Sequence, residues 1–137
     1  MARIMAIDYG KKRCGIAVTD TLQISANGLD TVLTENIFKF LKEYLTNEDV
    51  ETLVIGEPKR MNDEPSAVEE QIKVFIRGVE KRFPKINVER EDERFTSKMA
   101  MQSMVQGGVK KKKRREKELV DKVSATLILQ SYLGHTL

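Results

Sequence analysis

The sequence has 137 residues, of which 40% are hydrophobic and 33% charged, and its net charge is +3. This length suits one domain over residues 1–137, and the balance of apolar and charged residues argues against general disorder. No apolar run approaches the roughly 20 residues of a membrane helix, no secretion signal is recognisable, and a single cysteine excludes an internal disulfide framework. We therefore expect a reduced, cytoplasmic protein with no membrane partner.

The first third of the chain predicts three strands. Two apolar runs, residues 3–8 and 14–20, are separated by a polar turn at 10–13, which indicates an antiparallel hairpin. A third strand is predicted within residues 24–33, with a bulge or turn at Asn27-Gly28.

The middle of the chain predicts a helix and a buried strand. Apolar residues recur every four positions over residues 34–46, where Thr34 is expected to be the N-cap. Residues 52–56 then form a continuous apolar run, which is typical of a strand covered on both faces.

The second half continues the alternation of helices and strands. A capping-box pattern, Ser66 with Glu69, predicts the start of a helix that Pro84 terminates. The remaining predicted elements are a strand over residues 86–90 that runs into Asp92-Glu93-Arg94, a short helix over 96–106 and a final helix over 116–133. The fold class is therefore α/β, with a mixed sheet, an antiparallel hairpin at its start and helices on both faces.

Three acidic residues stand at the ends of predicted elements. Asp8 closes the first strand, Glu93 lies just beyond the strand that begins at residue 86, and Asp121 is in the first turns of the last helix. Ligands of α/β sheets gather at the carboxyl ends of the strands, and converging carboxylates repel one another unless cations lie between them. Oxygen ligands favour Mg²⁺ or Mn²⁺, and two such ions roughly 4 Å apart can support phosphodiester hydrolysis.

Each acid also has a purely structural interpretation. Asp8 can form the hairpin turn, Glu93 can be a solvated strand end, and Asp121 can favour the N-terminal dipole of its helix. The small residues Ser124 and Ala125 share the helical face of Asp121 and would let that helix approach the sheet closely. The joint placement of the three acids, rather than any one of them, indicates a metal site.

A dense basic run occupies residues 110–117, and the rest of the chain has an excess of acidic residues. The run predicts a localised contact with a polyanion, although it could also be a solvated charge run. Its basic residues are Lys110, Lys111, Lys112, Lys113, Arg114, Arg115 and Lys117. A second contact is predicted at Lys11, Lys12 and Arg13, whose alternative is a solvated hairpin tip. No platform of aromatic residues is obvious, so recognition is expected to follow backbone and shape.

Four segments resemble a known family over essentially the whole chain. They are residues 6–20, residues 54–62, Asp92-Glu93-Arg94-Phe95-Thr96, and the basic run leading to Asp121 with residues 127–133. The chain thereby resembles the YqgF-type pre-16S rRNA nucleases, also described as Holliday junction resolvases. The resemblance implies a ribonuclease H-like fold and an acidic set of Asp8, Glu93 and Asp121. Whether Glu57 or Asp92 joins that set stays open.

The function expected from motifs and resemblance together is that of a hydrolase. We expect a Mg²⁺- or Mn²⁺-dependent nuclease with a two-metal site, and the resemblance implies that it processes the 5′ end of pre-16S rRNA in ribosome biogenesis. Precursor rRNA and ribosomal precursor particles are the expected partners, and the protein would act as a monomer or homodimer. The alternatives are a resolvase acting on branched DNA and a non-catalytic nucleic-acid-binding assembly factor.

Overall fold

The computed structural model describes residues 2–58, 67–92 and 117–136, and in the last helix it describes the side chains from residue 122 to residue 134. The elements are β1 (Arg3–Tyr9), β2 (Arg13–Thr19), β3 (Ala26–Leu33), α1 (Ile37–Asn47), β4 (Val50–Glu57), α2 (Glu69–Arg82), β5 (Asn87–Asp92) and α3 (Lys117–Thr136). A single 3-10 turn, Thr34–Asn36, precedes α1. The predicted helix over residues 96–106 lies outside the described residues.

The five strands form one mixed sheet in the order β3-β2-β1-β4-β5. β2 pairs antiparallel with β1 and with β3, whereas β4 pairs parallel with β1 and with β5. The predicted hairpin is therefore confirmed. The expected irregularity near residue 28 is a bulge, because Ile16 pairs with Asp30 and Ala17 with Gly28, which leaves Leu29 without an opposite residue.

Helices cover both faces of the sheet, as predicted. Met5 and Ile7 of β1 contribute to a core with α1 and α2, while Ile4 and Ala6 contribute to a second core with α3. This division follows from the alternation of side chains along a strand. Within the part of the chain that the structure describes, none of the helices combines the length and apolar character needed to cross a lipid bilayer.

Small residues let α3 lie close to the sheet. Ser124 and Ala125 are buried, as their small size predicted, and Ala125 packs in the core that holds Ala6 and Ala17. At Gly28 a Cβ atom would lie 2.9 Å from the side chain of Lys122, so a larger residue on β3 would force that side chain to move.

The predicted N-cap at Thr34 is wrong, and of the predicted capping box Ser66 lies outside the described residues while Glu69 has a tertiary partner. Thr34 Oγ1 donates to the carbonyl of Gly10 at 2.6 Å, and the N-cap of α1 is Asn36, which makes no side-chain capping bond. The N-cap of α2 is Val68, also without a side-chain capping bond. The Glu69 carboxylate pairs with the Arg90 guanidinium, which contacts both of its oxygens.

Candidate active site

The carboxyl ends of β1, β4 and β5 meet at one edge of the sheet, because these three strands are parallel. Asp8 is the last residue but one of β1 and is half-buried. Because it alternates with Ile7, which faces α1 and α2, Asp8 belongs to the face that α3 covers. The structure therefore places one predicted acid at the edge where ligands of such sheets bind.

A second carboxylate on the same face was missed by the sequence analysis. Ser131 Oγ of α3 donates to Glu91 Oε1 at 3.0 Å, so Glu91 faces α3 from β5. Glu91 pairs with the buried Gly56 of β4, and continuing the β1–β4 register places Asp8 on the other side of Gly56. The glycine between them adds no side chain of its own to the space that separates the two acids, whose Cα atoms are about 10 Å apart.

Glu57 and Asp92 belong to the opposite face. They are Cα partners at the ends of β4 and β5, and they alternate with Gly56 and Glu91 respectively. Arg90, which has the same parity as Asp92, contacts Glu69 of α2. Strand alternation therefore separates these two acids from Asp8 and makes Glu91 the stronger additional candidate.

The other predicted site residues are placed only in part. Glu93 and the basic residues 110–115 lie outside the described residues, and Asp121 and Lys117 are in α3 with side chains that are likewise outside them. Lys11 and Lys12 are exposed in the β1–β2 turn, and Arg13 is the half-buried first residue of β2. Among the side chains that are described, no three Asp, Glu, His or Cys residues cluster as metal ligands, so the three-acid pocket stays a prediction.

The turn beside Asp8 is held tightly by backbone contacts. A Cβ atom at Gly10 would lie 2.6 Å from the carbonyl oxygen of Arg13, which only glycine avoids. The Thr34 backbone N–H donates to the carbonyl of Lys12 at 2.9 Å, and the Thr34 side chain bonds to Gly10. These contacts fix the position of the two exposed lysines relative to the end of β1.

Arg90 holds the end of β4 from the other face. Its Nε donates to the carbonyl of Ile55 at 3.2 Å and its Nη2 donates to the carbonyl of Gly56 at 3.1 Å. The same guanidinium pairs with Glu69 at 2.8 Å. Arg90 is thus a positioning residue for the strand end that lies between Asp8 and Glu91.

The three tyrosines of the sequence share a raised pKa, chiefly because burial disfavours the phenolate. At Tyr9, the residue after Asp8, the neighbouring Cys14 side chain raises the pKa further. At Tyr132 the carboxylates of Glu89, Glu51 and Glu91 add to the effect of burial. All three phenols are therefore neutral hydrogen-bonding groups near pH 7.

We expect the free energy of unfolding to fall as the pH rises above about 10. A raised pKa in the folded state means that the stabilisation is complete below the pKa of the unfolded chain and is lost as the pH rises through the folded value. Urea unfolding between pH 8 and 11 measures this slope, and Tyr9→Phe should make it shallower. Identical slopes for the wild type and Tyr9→Phe would contradict the assignment.

Comparison with known proteins supports an enzyme that acts on nucleic acid. A family model described as "RuvX: Holliday junction resolvase" matches residues 2–135. A protein of Christiangramia forsetii named "Putative pre-16S rRNA nuclease" is 59% identical to this chain, over 97% of the chain and 98% of the relative. Proteins with the same name from Flavobacterium psychrophilum and Bacteroides thetaiotaomicron are each 54% identical, over 97% of the chain and 97% and 96% of the relatives.

Proposed function

This chain belongs to the RuvX family of Holliday junction resolvases, and we propose that it is a divalent-metal-dependent nuclease with pre-16S rRNA as its preferred substrate. Membership in this family assigns the five-stranded α/β fold to the ribonuclease H-like class. The observation that carries the proposal is the position of Asp8, a half-buried carboxylate at the carboxyl edge of the sheet and on the face that α3 covers.

Three acids would hold the metal: Asp8, Glu93 and Asp121. All three donate carboxylate oxygen, which suits Mg²⁺ or Mn²⁺, and the buried small residues Ser124 and Ala125 support a close approach of α3 to the sheet. Glu91 is a further candidate because it shares a face with Asp8. When bound, the cation supplies Lewis-acid chemistry for phosphodiester hydrolysis.

Basic residues would hold the nucleic acid backbone around these acids. Lys11 and Lys12 are exposed in a turn that begins two residues after Asp8, so they can contact phosphates that flank the scissile bond. The basic run at residues 110–117 would add further contacts. Each duplex phosphate that such a residue neutralises steepens the slope of log K against log salt concentration by roughly 0.9. On this proposal the protein trims the 5′ end of the precursor within ribosomal precursor particles.

A cleavage assay with two substrates tests this function. We expect the wild type to bind Mn²⁺ and to cut a structured RNA that carries the 5′ extension of 16S rRNA, and we expect Asp121→Asn to lose both properties. Asp30→Asn, which changes an exposed acid on β3, is the matched control and should behave like the wild type.

The outcomes separate the alternatives. Cleavage of a four-way DNA junction instead of the RNA would favour a resolvase, the activity by which the family is described. Metal binding without turnover on either substrate would favour a non-catalytic assembly factor.

A further inference from the structure

A groove runs between α1 and α2, on the face of the sheet opposite to the one Asp8 faces. It consists of two cavities of about 570 and 510 Å³ that share Phe38 and Arg82 in their linings. Tyr9, Val74 and Phe75 line the first cavity, and Lys39, Lys42 and Phe83 line the second. We refer to the two cavities together as the α1–α2 groove.

Aromatic rings from three elements meet in this groove, where the half-buried Tyr9 and Phe38 rings form its aromatic wall and Phe75, only 3% exposed, lies beneath them in the core. The ring centroids of Tyr9 and Phe75 are 5.0 Å apart, and those of Phe38 and Phe75 are 5.4 Å apart. The Arg82 guanidinium lies over the Phe38 ring, 4.1 Å from its centroid. The surfaces on which the bases of a single strand can stack are therefore the accessible parts of the Tyr9 and Phe38 rings and the outer face of the exposed Arg82 guanidinium.

The charge of the groove is of one sign. Among the described residues, its lining contains the exposed cations Lys39, Lys42 and Arg82 and no carboxylate. The third large cavity, of about 470 Å³ at the amino ends of β4 and β5, is lined by Glu48, Asp49 and Glu51 and a single lysine. The two cations of α1 and the one of α2 therefore give the groove a polyanion-binding character that the other cavity lacks.

Gly78 keeps the middle of the groove open. A Cβ atom there would lie 2.7 Å from Cζ of Phe38 and 3.1 Å from Nη1 of Arg82. The missing side chain leaves room for the stacked ring and guanidinium where the two cavities meet. A glycine inside a helix costs about 1 kcal/mol relative to alanine, and at this position it serves the packing of Phe38 and Arg82.

We propose that the α1–α2 groove binds unpaired nucleotides of the nucleic acid substrate, with bases against the aromatic wall and phosphates at Lys39 and Lys42. This inference rests on the proposed function and adds a second contact to it. The groove begins at Tyr9, the residue after Asp8. The turn that contains Lys11 and Lys12 follows directly and lies beside both Asp8 and the start of the groove. A strand that crosses this turn can therefore reach the acids on one face and the aromatic wall on the other.

The proposed ligand is single-stranded because the faces of bases in a duplex are already stacked on their neighbours. A duplex could reach the exposed cations but not the rings of Tyr9 and Phe38. The groove therefore predicts a preference for substrates in which an unpaired segment flanks the cleavage site.

Binding measured in EDTA tests the groove separately from cleavage. We expect a fluorescein-labelled 12-nucleotide oligouridine to bind Phe38→Leu roughly 5- to 100-fold more weakly than the wild type. In the Lys39→Gln/Lys42→Gln variant, the slope of log K for oligouridine binding against log salt concentration should be smaller in magnitude by about 1.4, because two single-strand phosphate contacts are removed.

Two controls accompany these variants. A blunt RNA duplex of equal length should bind Phe38→Leu as it binds the wild type. Lys85→Gln, a cation of the acidic cavity, is the matched control and should change neither affinity.

A second variant guards against a folding defect in Phe38→Leu. Val74 is 59% exposed at the rim, so Val74→Glu should fold normally and weaken oligouridine binding by charge repulsion, while Val74→Gln should not. Wild-type affinity in both Phe38→Leu and Val74→Glu would overturn the inference and leave the groove to a protein partner. An equal loss for oligouridine and duplex would also overturn it.

The two proposals fail in different assays. Asp8→Asn should bind oligouridine as the wild type does, because Asp8 lies outside the groove. If Asp8→Asn loses cleavage while all groove variants bind normally, the groove inference fails and the nuclease stands. If the groove variants lose binding while Asp8→Asn still cleaves, the nuclease site is wrong and the groove stands.

Discussion

Replacing Asp8 by asparagine should reduce metal-dependent cleavage by roughly a thousandfold or more and leave nucleic acid binding intact. The change keeps the shape of a half-buried side chain at the end of β1 and removes one negative charge and the preferred ligand of a hard cation. The rate of cleavage under single-turnover conditions in Mg²⁺ measures the effect. Binding of the same substrate in EDTA shows that the fold and the nucleic acid contacts are preserved.

Asp49→Asn provides the matched control for this experiment. Asp49 is an exposed acid at the amino end of β4, at the opposite edge of the sheet, and its substitution changes the net charge equally. It should cleave at the wild-type rate. Retention of cleavage by Asp8→Asn would remove Asp8 from the mechanism, and equal losses in both variants would point to a general effect of charge.

Of the substitutions proposed for this protein, Arg90→Met should destabilise the fold most, lowering the free energy of unfolding by about 3–5 kcal/mol. The side chain of Glu69 is only 6% exposed, and without Arg90 its charge has lost the partner that lies 2.8 Å away. The carbonyls of Ile55 and Gly56 would lose their guanidinium donors as well. Urea unfolding followed by circular dichroism measures the difference.

The same helix offers a control for the ion pair. Glu70, the neighbour of Glu69, pairs with Lys73 at 3.6 Å on the solvent side of α2. Lys73→Met should cost at most about 0.5 kcal/mol, because an exposed pair is screened by water. Adding Glu69→Leu to Arg90→Met should restore part of the lost stability, since no charge is then buried alone. Equal effects of Arg90→Met and Lys73→Met would contradict this account.

Local pattern was enough to predict the strands and helices that the structure describes. The turn at residues 10–13 and the apolar runs on either side of it specify the hairpin, and the four-residue periodicity of α1 specifies a helix with one buried face. The N-cap predicted at Thr34 failed because its side chain has a tertiary partner, Gly10, that is distant in sequence, and Glu69 likewise pairs with the distant Arg90. A motif of four residues contains no information about such partners.

Only those residues of the candidate site whose position follows from a single strand could be predicted from the sequence. Asp8 could be placed because it ends a clear apolar strand, whereas Glu91 could be recognised only from the β4–β5 register and the contact with Ser131. The α1–α2 groove was missed for the same reason, since Tyr9, Phe38 and Phe75 come from three separate elements. The meeting of Asp8 with Glu93 and Asp121 stays a prediction.

The order of Asp8 and Tyr9 on β1 couples two surfaces of this protein. Slipping the strand by one residue would bury a carboxylate among the rings and place a phenol at the position proposed for a metal ligand. β2 on one side and β4 on the other hold the strand against such a slip. An insertion or deletion within β1 should therefore be tolerated only when it shifts the strand by two residues, which keeps Asp8 and Tyr9 on their own faces. Selection on either surface thus constrains the other, because Asp8 and Tyr9 are adjacent in the chain.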